Sequence, residues 1–214
     1  MRNTIVAVGL IGILALLVIP PGLSQAVRTI IDDWAAVVPP PAPELKPVTV
    51  DPRTTALLIL DILSTACNKD RRPRCVASVP RLAAVINRAN TRGMFVVYSM
   101  TNPPTTVDNI LPLIRPVGGE PVVAANADKF VGTNLEQLLR DHGIRTVIVT
   151  GTAANGAVLY TASAAALRGF QVIVPVDGMS ADSLYVEQYV VWHLANAPTI
   201  GARVTLTRSD LISF

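Results

Sequence analysis

An aspartate closes an apolar run at Leu57-Leu58-Ile59-Leu60-Asp61. A carboxylate directly after a buried strand lies at the edge of a sheet where ligands bind, so it could act as a general base or hold a lysine. The plainer alternative is a helix cap or a loop hydrogen bond. A lysine stands at Asp128-Lys129-Phe130, just before a helical pattern, where a lysine is ordinarily a solvated surface cation. The third place is Gly151-Thr152-Ala153-Ala154-Asn155-Gly156-Ala157, after an apolar run and at the start of a helical one. Backbone N–H groups at Thr152, Ala153, Ala154, Asn155 and Gly156 could stabilise an oxyanion there. The plainer alternative is a tight strand-to-helix connection.

Cys67 lies shortly after Asp61, and Cys75 follows Asn68-Lys69-Asp70-Arg71-Arg72-Pro73-Arg74. In an exported protein, two cysteines this close most simply form a disulfide, which at this loop length contributes ~2–3 kcal/mol and fixes loop shape. The alternative is a pair of thiols made reactive by Arg71, Arg72 and Arg74. Those arginines otherwise read as a solvated face, or as a receptor for an anionic ligand. His142 ends a helix, where a cation suits the dipole. His193 reads as structural, and Tyr185, Tyr189 and Trp192 as a packing or subunit-contact stripe. Tyr160 and Thr161 read as packing, and Asp177 as the cap or support of a loop.

The elements that must position these residues alternate. Thr54–Leu60, Met94–Met100, Arg145–Thr150 and Gln171–Val176 are short apolar runs of the kind buried on both faces of a parallel sheet, and Val204–Thr207 is a last strand. Helical patterns span Ser78–Thr91, with Pro80 in the first turn, then Thr133–His142, Gly156–Leu167 and Ser180–Leu194. Alternation of this kind predicts an α/β fold with helices on both faces of the sheet. Ligands in such sheets bind beyond the carboxyl ends of the strands, which is where Asp61, the Ser99–Asn102 stretch and the segment from Gly151 fall.

The chain of 214 residues is half hydrophobic, which excludes a disordered protein. A net charge of +3 with no basic run interleaved with aromatics points away from nucleic acid. Two cysteines exclude a disulfide-dense scaffold and a four-cysteine zinc site. Arg2 precedes an apolar stretch, Ile5–Ile19, broken by Pro20-Pro21-Gly22 and followed by Ser24-Gln25-Ala26. Residues 1–26 therefore read as a signal peptide cleaved after Ala26, and the body as exported, periplasmic or secreted. The alternative is an uncleaved anchor over residues 4–19, the only expected route to a membrane. Residues 27–53 read as a tail, with helical spacing at Val27–Val38 and an extended Pro39-Pro40-Pro41-Ala42-Pro43. Residues 54–214 form the folded domain.

Taken together, the strand ending in Asp61, Lys129 and the block from Val147 to Ala181 resemble the isochorismatase-like, or cysteine hydrolase, superfamily. Within that block Arg168-Gly169-Phe170-Gln171-Val172 and Pro175-Val176-Asp177 follow its pattern closely. The resemblance runs from about Pro52 to the C-terminus. It implies a three-layer αβα sandwich with a mainly parallel six-stranded sheet, a possible homo-oligomer, and a non-proline cis peptide in the Thr152-Ala153-Ala154 turn. It further implies a triad in which Asp falls on Asp61, Lys on Lys129 and the nucleophilic Cys on Ala157. A methyl group cannot attack a carbonyl, so the covalent route is closed. The nicotinamidase branch places Asp and His after its first strands, but Tyr98–Pro104 has no His, so no metal and no other cofactor are expected.

Two functions follow from this reading. One is a hydrolase acting on a small carboxylate- or amide-bearing molecule without a covalent nucleophile. The other is an exported, inactive pseudoenzyme that binds a small ligand or a partner protein.

Overall fold

The structure is a computed structural model that describes residues 28–103 and 105–214. The expected signal peptide, with its cleavage point or anchor, lies outside the described residues. Among those residues no helix is long and apolar enough to cross a membrane.

The chain divides into two units, residues 1–39 and 40–214. In the first, the helical spacing at 27–38 yields only a turn at 30–33 and a single tight helical turn, Trp34–Ala36. Arg28 pairs with Asp33 across it at 2.5 Å.

The second unit is built on a parallel sheet. Its strands are β2 (Thr55–Leu60), β3 (Phe95–Met100), β4 (Val122–Ala124), β5 (Thr146–Thr152), β6 (Gln171–Pro175), β7 (Met179–Ser180) and β8 (Val204–Thr207). They run in the order β4-β3-β2-β5-β6-β8, with β7 joining the end of β5. A separate parallel pair forms between β1 (Val48–Thr49) and β9 (Ile212–Ser213). Lys46 donates its N–H to the Leu206 carbonyl at 2.9 Å, which ties the residues ahead of β1 to β8.

The helices are α1 (Pro73–Thr91), α2 (Leu135–Asp141), α3 (Leu159–Leu167) and α4 (Leu184–Asn196). Every residue of β2 is buried, as a central parallel strand requires. Alternate residues face opposite layers. Leu57 and Ile59 pack with Val79, Leu82 and Val85 of α1, while Leu58 and Leu60 share a core with Leu139, Ala162 and Val190 of the other three helices. The result is the three-layer αβα sandwich around a mainly parallel sheet.

Several boundaries differ from the sequence reading. Helix α1 starts at Pro73 rather than Ser78 and runs through Pro80. Pro73 supplies the fixed φ suited to a helix start, and Ser78 lies inside, donating its hydroxyl to the Cys75 carbonyl at 2.7 Å. Ser180 belongs to β7, and the cap of α4 is Ser183, whose hydroxyl accepts from the Val186 N–H. Strand β4 was not foreseen, because a three-residue edge strand is too short for an alternation to register.

Candidate active site

Strand β2 delivers Asp61 to the carboxyl edge of the sheet. Its register pairs Leu60 with Ser99 on one side and with Gly151 on the other. Asp61 itself leaves the strand in the left-handed region, at φ 52°, a conformation that Asp tolerates better than most residues. Its N–H still reaches the Ser99 carbonyl, at 3.3 Å, and its carbonyl accepts from the Leu63 N–H at 2.8 Å.

The loop after β4 delivers Lys129. The lysine is fully buried, and its Nζ lies 2.8 Å from Oδ2 of Asp61. Two more bonds run from Nζ to the carbonyls of Ala125 (2.8 Å) and Asn126 (2.7 Å), with Met100 O further off at 3.4 Å. An ammonium has three protons, so this lysine is saturated by the protein. Thr161 on α3 fixes its backbone, accepting the Lys129 N–H at 3.2 Å.

Asp61 is only 6% exposed. Its Oδ1 accepts the Ser99 hydroxyl at 2.7 Å. Burial pushes its carboxyl above the usual aspartate value, and Lys129 and then Ser99 pull it partly back. The site thus holds a carboxyl group that keeps its proton to higher pH than an exposed aspartate, oriented on both oxygens.

The third component is the turn between β5 and α3. Gly151 sits at φ +134°, and a Cβ there would lie 2.1 Å from the Leu60 carbonyl oxygen, so only glycine permits this strand approach. The Thr152–Ala153 peptide is cis. Residues 154–158 form a wide helical turn, interrupted at Gly156, which leads into α3. Gly156 and Val158 both donate their N–H to the Ala153 carbonyl, at 3.0 and 3.3 Å. The Gly156 N–H is therefore already committed within the turn. Asn155 is exposed, and Ala157 is 4% exposed, within the core shared by Leu60 and Phe130. Thr152 is buried, and its hydroxyl donates to the Ser180 carbonyl at 3.0 Å.

Cys67 and Cys75 form a disulfide, with Cα atoms 5.4 Å apart and both residues buried. The arginines beside it are not simply a solvated face, which corrects that expectation for Arg72, while Arg74 is exposed but paired. Arg72 is buried and its Nε donates to Asp182 at 2.6 Å. Arg74 grips Glu187 through Nε (3.0 and 3.1 Å) and a second nitrogen (2.6 Å). Arg71 remains exposed, 3.8 Å from Asp182. Sequence reasoning missed Ser99 as a partner of Asp61, and Glu187 and Ser180 as supports of the turn.

The remaining candidates lie elsewhere. His142 stacks on Phe95 with ring centroids 3.8 Å apart, and His193 meets Tyr189 edge-on at 6.1 Å. Asp177 receives the Ser209 N–H at 2.8 Å and hydroxyl at 2.6 Å, which anchors the loop after β8. Tyr185 and Tyr160 are mostly exposed, and Tyr189 and Trp192 are about half exposed, so none of the four is packed in the core.

Comparison with known proteins agrees with this architecture. The isochorismatase domain pattern matches residues 55–209. The chain belongs to the isochorismatase family. Among its relatives is an N-carbamoylsarcosine amidase from Arthrobacter sp, 46% identical over 84 residues, a match covering 39% of this chain and 32% of that protein. The chain thus spans about a third of that relative's length. The secreted isochorismatase effector Isc1 of Verticillium dahliae is 26% identical over 144 residues, covering 62% of this chain and 76% of the effector. The N-carbamoylsarcosine amidase structure from Thermoplasma acidophilum superposes with a TM-score of 0.62 at 26% identity, covering 73% of this chain and 97% of that one. An isochorismatase-like hydrolase from Alkaliphilus metalliredigens gives 0.67 at 22% identity, over 73% and 95% of the two chains.

Proposed function

We propose that the protein is an isochorismatase-like hydrolase that acts on a small carboxylate- or amide-bearing molecule by proton transfer at Asp61, with no covalent step. By family resemblance Ala157 stands where the nucleophilic Cys would be, which closes the thioester route. The observation that carries the reading is the Asp61–Lys129 pair. A charged pair taken out of water is costly, and this one has partners on both carboxylate oxygens and on every ammonium proton.

The chemistry suited to such a group is acid–base. For a vinyl ether, the Asp61 proton adds to the terminal alkene carbon and leaves an oxocarbenium ion. Water adds to that ion and returns a proton to the Asp61 carboxylate, and the resulting hemiketal breaks its carbon–oxygen bond. For an amide, Asp61 as the carboxylate takes a proton from the attacking water and passes it to the leaving nitrogen. Lys129 orients Asp61 and offers nothing to the substrate. The amidase relatives favour an amide or N-carbamoyl compound. The disulfide and the secreted fungal relative support an exported location, reached through residues 1–26.

A second reading, an exported pseudoenzyme that binds a ligand or partner without turnover, draws on the near-complete burial of the Ala157 methyl. The test is a hydrolysis screen of the purified protein on isochorismate, small amides and N-carbamoyl compounds, beside Asp61→Asn and Ala157→Cys. Turnover lost in Asp61→Asn supports proton-transfer catalysis. Turnover only in Ala157→Cys overturns it in favour of the binding role.

A further inference from the structure

We propose that Glu187 is the positioning residue for the 152–157 turn, acting through Ala181 and Ser180. The consequence for turnover rests on the catalytic reading above, whereas the consequence for the geometry of the turn does not.

Glu187 lies on the buried face of α4 with Val190 and Leu194, and is 8% exposed. That face would be cheaper to pack with an apolar residue, since a buried carboxylate costs free energy unless it is fully bonded. This one is. Its Oε1 accepts the Ala181 N–H at 3.1 Å, and Arg74 donates to both of its oxygens. Ala181 directly follows Ser180, which is bonded to Thr152 twice. The Ser180 carbonyl accepts the Thr152 hydroxyl at 3.0 Å, and the Ser180 hydroxyl donates to the Thr152 oxygen at 3.2 Å. The two segments also pair as strands, Gly151 with Met179 and Thr152 with Ser180. Thr152 begins the turn that ends at Ala157.

The opposite end of the connection reaches the other half of the site. Arg74 precedes Cys75, whose disulfide partner Cys67 lies in the segment leaving Asp61. Arg72 holds Asp182 on the same stretch. Glu187 therefore joins the segment after β2, which carries Asp61, to the turn after β5, and a carboxylate is the group that can accept from both an amide and a guanidinium.

The experiment compares amide hydrogen exchange in the full chain, Glu187→Ala, Glu187→Met and Glu187→Gln. The probes are the Gly156 and Val158 amides, with Val174 and Leu206 in β6 and β8 as controls. Glu187→Ala should speed exchange at Gly156 and Val158 by about tenfold beyond any change at the controls. Glu187→Gln keeps an acceptor for the Ala181 N–H and should restore most of the protection. If Glu187→Ala does not fold, Glu187→Met, which keeps the side-chain bulk and offers no acceptor to the Ala181 N–H, carries the same comparison. Equal acceleration at turn and control amides, or none at the turn, overturns the proposal and leaves Glu187 a purely structural residue. For any substrate turned over, kcat should fall with KM nearly unchanged. A parent chain with no turnover sinks the catalytic reading alone, since the exchange comparison is still decisive for Glu187.

Discussion

Ser99 donates its hydroxyl to Oδ1 of Asp61, the oxygen opposite the one that Lys129 holds, from the strand neighbouring β2. The bond favours the ionised carboxyl and so opposes the desolvation that raises its titration. Ser99→Ala should therefore move the Asp61 titration further up. The sign follows directly, because losing a donor to the charged form stabilises the protonated form relative to it. If catalysis uses the protonated acid, the alkaline limb of the pH–rate profile moves up with it. A carbon-13 NMR titration of the Asp61 carboxyl checks the shift without any substrate. A titration that stays in place or falls would contradict the geometry.

Removing the lysine should cost far more than neutralising the aspartate. Lys129→Met leaves a buried carboxylate with only Ser99 beside it and is expected to destabilise by about 3–5 kcal/mol at neutral pH. Asp61→Asn leaves the ammonium bonded to Ala125 and Asn126 and should cost less. The deficit of the lysine variant also depends on pH. A carboxyl with a raised folded pKa contributes stability that is complete below its unfolded value, near 3.8, and lost as pH rises through the folded value. Urea unfolding at pH 4 and pH 7 should show the Lys129→Met deficit growing with pH. A deficit independent of pH would rule this out.

Gly151→Ala should be among the most damaging single methyl additions. The new Cβ meets the Leu60 carbonyl at 2.1 Å, in a backbone conformation that L-residues rarely adopt. A loss of more than about 3 kcal/mol, or failure to fold, is expected. Denaturation midpoints against Gly119→Ala, an exposed glycine that is also at positive φ (+82°) but has open space around it, isolate the cost of the clash.

Opening the Cys67–Cys75 bond removes a cross-link over a sequence separation of 8 residues. Chain entropy alone predicts a loss of ~2–3 kcal/mol. The paired Cys67→Ala, Cys75→Ala variant should show that loss in urea while retaining the α/β circular dichroism signature. An unchanged midpoint would mean that the loop is held by Arg72 and Arg74 alone.

Much of the site was legible because its parts sit at ends of strands that announce themselves by composition. The run Ala56–Leu60 is apolar throughout, so the aspartate after it stood out. The supports were hidden because their partners are distant in sequence. Ser99 is separated from Asp61 by 38 residues, and Arg74 from Glu187 by 113. A weaker signal was present in each case. Ser99 is a hydroxyl inside an otherwise apolar β3, and Glu187 interrupts the helical face that Val190 and Leu194 continue. Single polar residues in apolar periodicities mark buried bonds, although they do not name the partner.

The pairing of β1 with β9 brings the first and last strands of the second unit side by side. Phe214 also lies under the Arg88 guanidinium, 4.9 Å from it. Topologically the domain is nearly a closed loop, and a cyclically permuted chain needs only a short linker from residue 214 back to the residues before Val48. A bulky fusion placed directly on residue 214 would crowd Val50, whose N–H bonds the Ser213 carbonyl at the end of that seam.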